Sequence, residues 1–121
     1  MIVYLAADLI WASKIKGTAD ALGLPCRPVR TMDMLEARLA ENGVKAFVAD
    51  LVAEPAIEMI QRARREPVAP GERPIRIVAF GPHVEREKLQ QARDAGADDV
   101  LTRGHFDHHL DELLISLAGR A

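Results

Sequence analysis

Short apolar runs separated by longer stretches of helical period constrain this chain more than any other feature of its sequence. Ile2, Val3, Tyr4, Leu5, Ala6 and Ala7 form a continuous apolar run, the pattern of a strand covered on both faces. Residues 44–49 and 75–80 repeat it with one basic residue each, Lys45 and Arg76. Between these runs the spacing changes to three and four. Ala12, Ile15, Ala19 and Leu22 mark a first helix that stops at Gly23, and Asp8 stands where its N-cap belongs. Thr31 is placed to cap a second helix, which turns Met34, Leu35 and Leu39 inward and ends at Asn42-Gly43. Glu54-Pro55 suits the first turn of a third helix, with Pro55 near its first helical position and Ala56, Ile60 and Ala63 as its stripe. Glu85, Leu89 and Ala92 before Gly96 define a fourth, and Leu110, Leu113, Leu114 and Leu117 a fifth.

Two weaker strands complete the alternation. Residues 24–30 contain Pro25 and Pro28, each lacking an amide donor, which places that segment at an edge of the sheet. Residues 100–102 form a short fifth strand, and residues 66–74, rich in proline, are the one long loop. Five strands alternating with five helices predict an α/β fold: a parallel sheet of order 2-1-3-4-5, flavodoxin-like, with helices on both faces. At 121 residues the chain supports one core, so residues 1–121 are expected to be a single domain.

Charge and motifs narrow the function. Sixteen basic and eighteen acidic residues give a net charge of -2, which argues against nucleic acid as a dedicated partner. Cys26, the single cysteine, excludes an internal disulfide and a multi-cysteine zinc site, and fits a reducing, cytoplasmic location. The opening apolar run stops at Asp8, too short to enter a membrane as a span. No GxGxxG, GxxxxGK[ST] or GxSxG motif is present, so dinucleotide, P-loop and hydrolase chemistry have no support.

Ala49-Asp50-Leu51, closing the third strand, and the stretch Ala95-Gly96-Ala97-Asp98-Asp99-Val100-Leu101-Thr102-Arg103 resemble the receiver domain of bacterial response regulators, over essentially the whole chain. The resemblance implies two-component signal transduction and a phosphoacceptor at Asp50. It also implies a magnesium ion held by that aspartate with an acidic pair after strand one, a hydroxyl after strand four and a lysine after strand five. This chain departs from the pattern at most of those positions. The acidic pair falls on Ala6-Ala7 or Ala7-Asp8, leaving Asp8 and Asp50 as the only carboxylates for magnesium. The hydroxyl position is about Gly81, with His83 two residues on. The reporting aromatic falls on Val100, and the lysine is Arg103, a planar fork in place of a compact ammonium. Gly104 stands for the receiver's proline, and His105 is inserted before Phe106. The chain therefore looks like a pseudo-receiver, not an enzyme and without a dedicated cofactor. A working phosphoacceptor at Asp50 is the alternative. Because the sequence starts in strand one and ends after helix five, the expectation is a stand-alone module whose output is a protein partner or a homodimer. The face of helix four, strand five and helix five is expected to make that contact, since helix five carries four leucines.

Remaining residues have structural and functional readings side by side. Asp50 either accepts a phosphoryl group or, as a relic, caps the following loop or pairs with Arg103, which can meet the carboxylate in two-point fashion at the rim. His83, His105, His108 and His109, with Asp107 and Glu112, either form a transition-metal or small-enzyme rim or face water while Asp107 caps helix five. Arg62, Arg64, Arg65, Arg73 and Arg76 form the densest basic stretch; without interleaved aromatics it is expected to be a solvated helix end. Trp11 is expected to be partly buried, and Cys26 inert.

Overall fold

A computed structural model describes residues 1–119. Along the chain run β1 (Ile2–Leu5), α1 (Leu9–Ala21), β2 (Cys26–Pro28), α2 (Met32–Ala40), β3 (Ala46–Asp50), α3 (Ala56–Arg64), β4 (Arg76–Gly81), α4 (Arg86–Ala95), β5 (Asp99–Thr102), α5 (Arg103–His108) and α6 (Leu110–Leu117). The strands make one parallel sheet of order β2-β1-β3-β4-β5, as the alternation predicts. The prolines explain why β2 is an edge. Its contact with β1 is closed by Ile2 N–H donating to the Pro25 carbonyl and Val29 N–H donating to the Tyr4 carbonyl, neither of which needs a proline donor.

Period-two alternation along the strands divides the core between the two faces. Val3, Leu5, Phe47, Ala49, Ile77 and Ala79 pack with α2, α3 and α4 through Leu35, Leu39, Met59, Ile60, Leu89 and Ala92. Ile2, Tyr4, Ala46, Val48, Val78 and Phe80 face the other way, onto Ile15 and Ala19 of α1 and Phe106, Leu110, Leu114 and Leu117 of α5 and α6. Burying a side chain of this size contributes about 1.5–3 kcal/mol, so both layers are strongly held. Asp50 has the parity of Ala46 and Val48 and is thereby assigned to the face of α1 and α5.

Both expected caps form. The Asp8 carboxylate accepts the Trp11 N–H at 3.0 Å, and the Thr31 hydroxyl accepts the Met34 N–H at 3.1 Å. Three details differ from expectation. Pro55 stands one residue ahead of the first helical position of α3, because a turn carrying Ala56 N–H to the Ala53 carbonyl occupies the chain up to that point. The fifth helix is two helices, so the sheet carries six rather than five among the described residues. Thr102, not Asp107, caps α5, accepting the His105 N–H directly at the end of β5, and the backbone bends at His109 (φ -111°) before α6. Asp107 instead meets Lys14 of α1 at 2.9 Å.

The passage from α4 to β5 has a physical account of its own. Gly96 ends α4 at φ +112°, a conformation that favours glycine. Arg64 of α3 crosses to it, donating from Nε to the Gly96 carbonyl at 2.9 Å and from Nη2 to Asp98 at 2.6 Å. The same Asp98 oxygen accepts the Ile77 N–H at 2.8 Å, which fixes the start of β4. Three of the five arginines in the basic stretch are thus committed to named acids: Arg62 to Glu36 and Glu66, Arg64 to Asp98, and Arg76 to Asp99. No helix among the described residues is long and apolar enough to cross a membrane.

Candidate functional site

Asp50 ends β3 at the carboxyl edge of the sheet and is 0 % exposed, the one buried charged or polar side chain among the described residues. Its carboxylate is held by the backbone on both sides. Oδ2 accepts the Ala7 N–H, just beyond β1, at 3.0 Å, and Oδ1 accepts the Val52 N–H at 3.1 Å. Arg103, the first residue of α5, reaches Oδ1 through Nη2 at 3.8 Å. The expected approach of Asp50 and Arg103 is therefore present, but the two-point pairing is not. At this length a single contact is electrostatic and not a hydrogen bond. The Arg103 Nε is buried with no hydrogen-bond partner, and its side chain is 34 % exposed.

An aromatic cluster covers the site. Phe80 lies beside Asp50 in the strand register and stacks on Phe106 with centroids 3.9 Å apart. Trp11 tilts against both, at 5.1 and 5.9 Å, and the Arg103 guanidinium sits 5.6 Å from the Trp11 ring. Trp11 is partly buried as expected, and it packs against Phe80, the strand neighbour of Asp50. The sequence held the signal in two places. Phe80 has the face parity of Asp50, and Trp11 lies four residues before the buried Ile15 on the stripe of α1.

The other rim residues do not converge on Asp50. Asp8 is exposed and spends an oxygen on the α1 cap. Gly81 is a buried residue of β4, packed toward Leu51 and Leu89, and His83 is exposed in the following loop. Among the described residues no three histidine, cysteine or carboxylate groups gather to hold a metal ion. Of the Asp8 and Asp50 carboxylates, the second is sealed from solvent and the first gives Oδ1 to the helix cap, a poor provision for a magnesium ion that needs several open oxygen ligands. Apolar side chains are exposed along this carboxyl edge of the sheet. Leu9 is 83 % exposed, Ile10 67 % and Val84 72 %, with Val52 also exposed. Leu9 and Ile10 open α1 after β1, Val52 follows β3 and Val84 follows β4, and these three strands are neighbours in the sheet.

Elsewhere, Cys26 is completely buried and burial pushes its thiol up to about 11, so it is a poor nucleophile at neutral pH. Of the four leucines of the fifth helical segment, Leu110, Leu114 and Leu117 are core, and only Leu113 is partly buried. The surplus of apolar positions expected on that helix is therefore not exposed. The histidines separate into two groups. His83 stands alone, whereas His105, His108 and His109 pack together, with ring centroids 4.5 Å apart for His105 and His109 and 4.7 Å apart for His108 and His109.

Solved structures of receiver domains match this arrangement over nearly its full length. The chain has the receiver-domain fold. It superposes on the receiver domain of NtrX from Brucella abortus with a TM-score of 0.77 at 13 % identity, covering 100 % of both chains. The signal receiver domain of a response regulator from Bermanella marisrubri matches at 0.72 and 21 % identity, over 96 % of this chain and 95 % of that one. The receiver domain of a histidine kinase from Syntrophus aciditrophicus matches at 0.76 and 16 % identity, over 98 % and 89 %. No protein-family model and no curated protein matches the sequence. Within that fold, Asp50 closes the third strand and Arg103 follows the fifth.

Proposed function

We propose that this domain is a receiver-like signalling module that works by protein contact, with its aspartate position closed to phosphoryl transfer. The state of Asp50 carries the reading: a completely buried carboxylate whose two oxygens already accept backbone N–H groups. Phosphoryl transfer to a carboxylate relies on positioning and on a cation that neutralises the phosphoryl oxygens. Gly81 offers no hydroxyl, Asp8 is committed to the helix cap, and Arg103 lies over Trp11. Leu9, Ile10 and Val84 supply an apolar rim in the same place, the kind of surface that marks a protein contact. The edge of β5 with Leu113 is a second surface open to a partner or a second copy. Incubation with acetyl phosphate and magnesium, followed by intact mass measurement, tests the closed acceptor. No mass increase is expected. Efficient modification that disappears in Asp50→Asn would establish a working phosphoacceptor instead.

A further inference from the structure

The edge of the sheet at β5 carries a second cluster, away from Asp50. We propose that His105 and His109 form a two-imidazole site for a divalent transition-metal ion of the zinc, nickel or copper class. The two residues are one helical turn apart, and the turn is closed by His109 N–H donating to the His105 carbonyl at 3.1 Å. Their ring centroids lie 4.5 Å apart with the planes inclined by 40°. Histidines four residues apart project from one side of a helical turn, the spacing by which two ring nitrogens reach a single ion.

The backbone on either side is anchored. The His105 N–H donates to the Thr102 hydroxyl at 3.3 Å, and the His109 carbonyl accepts the Leu113 N–H at 2.9 Å. Glu112 Oε2 lies 3.5 Å from His109 Nδ1. A carboxylate facing one ring nitrogen favours the proton there and leaves Nε2 as the donor to a metal. The pair opens onto a surface cavity of about 320 Å³ lined also by Asp99, Leu101, Glu112 and Leu113. Glu112 adds negative charge beside a cation, Asp99 being paired with Arg76, and the leucines reduce competition from solvent on that side. Imidazole donors select zinc, nickel or copper over magnesium, so this site is chemically unlike a receiver's acidic one. With no third protein ligand clustered among the described residues, water completes the coordination.

Calorimetric titration of the full chain with zinc chloride in a non-chelating buffer tests the site. A single ion per chain is expected, with affinity falling at least about tenfold in His105→Gln and in His109→Gln. His83→Gln and His108→Gln keep the parent affinity, and magnesium gives no comparable heat. Zinc binding equal in the parent and the His105→Gln/His109→Gln double variant overturns the proposal, as does an equal loss in His83→Gln. A second measurement needs no substitution: substoichiometric copper(II) broadens the imidazole NMR resonances of His105, His109 and the neighbouring His108 before those of His83. Broadening that begins at His83 counts against the site. Asp50→Asn leaves zinc binding unchanged, so this result and the closed-acceptor reading stand or fall separately.

Discussion

Asp50 and Asp98 each meet an arginine, at opposite ends of the sheet, and the two encounters are built differently. Asp98, at the amino end of β5, is partly exposed, yet it takes a 2.6 Å bond from Arg64 and a 2.8 Å bond from the Ile77 N–H. Asp50, at the carboxyl end of β3, is sealed from solvent, yet its arginine stops at 3.8 Å and leaves Nε unpartnered. At the Asp98 corner the arginine bonds two acceptors and the carboxylate accepts two donors. Asp50 has its charge satisfied by the main chain and only loosely attended by Arg103, so the tighter of the two arginine contacts is the one that ties α3 to β4 and to the start of β5.

The largest effect is expected at the tight corner. A Cβ on Gly96 would lie 2.8 Å from Arg64 Cγ, at a backbone φ of +112° that a side chain rarely adopts. Gly96→Ala therefore combines backbone strain with displacement of the arginine, and should cost on the order of 2–4 kcal/mol in denaturant unfolding. A loss under about 1 kcal/mol would mean that the corner yields easily and that the comparison overstates its rigidity. Asp98→Ala comes next. It strands the Ile77 N–H and leaves Arg64 only its bond to the Gly96 carbonyl, so a loss on the order of 1–3 kcal/mol is expected by the same measurement.

The same contrast explains what the sequence made legible. The sheet order followed from apolar runs and from Pro25 and Pro28, because backbone chemistry alone decides which strand can be an edge. The caps at Asp8 and Thr31 were legible for a similar reason, since a cap acts within three residues of itself. The Arg64 clamp was not, because its partners at Gly96 and Asp98 come together only when α3 and α4 pack side by side. The approach of Arg103 to Asp50 was foreseen from the strand ends, but not its geometry, which depends on Trp11 drawing the guanidinium over its ring. The division of the fifth helix leaves no mark in the sequence, because Thr102 caps directly off β5 with no loop of turn residues before the start.

Arg103 provides the sharper half of the test. Arg103→Ala removes one 3.8 Å attraction and the contact with Trp11, but it leaves both backbone donors on Asp50. The loss should stay within about 1 kcal/mol, smaller than for Asp98→Ala. Double-mutant cycles should give a larger coupling for Arg64 with Asp98 than for Arg103 with Asp50. A larger loss at Arg103 than at Asp98 would reverse the comparison and make the rim pair a principal support of the fold.

The smallest effect on stability is expected at the apolar rim around the sealed aspartate, where the consequence for binding is greatest. Leu9 and Ile10 are the first two residues of α1, and both lie off the stripe that carries Trp11, Ile15 and Ala19 inward. At 83 % and 67 % exposed they contribute little to the core, so replacing either by aspartate removes almost no buried area. A negative side chain in the first turn also interacts favourably with the helix dipole, by about 0.3–1 kcal/mol at most. Leu9→Asp and Ile10→Asp should thus change unfolding free energy by no more than about 0.5 kcal/mol. If the rim is a contact surface, the same substitutions should abolish capture of a partner that the parent protein retains from its host extract. A stability loss of several kcal/mol would show that these side chains are packed in solution and would remove the rim as an open surface. Unchanged stability with unchanged capture would move the contact to the β5 edge, where Leu113→Asp is the corresponding substitution.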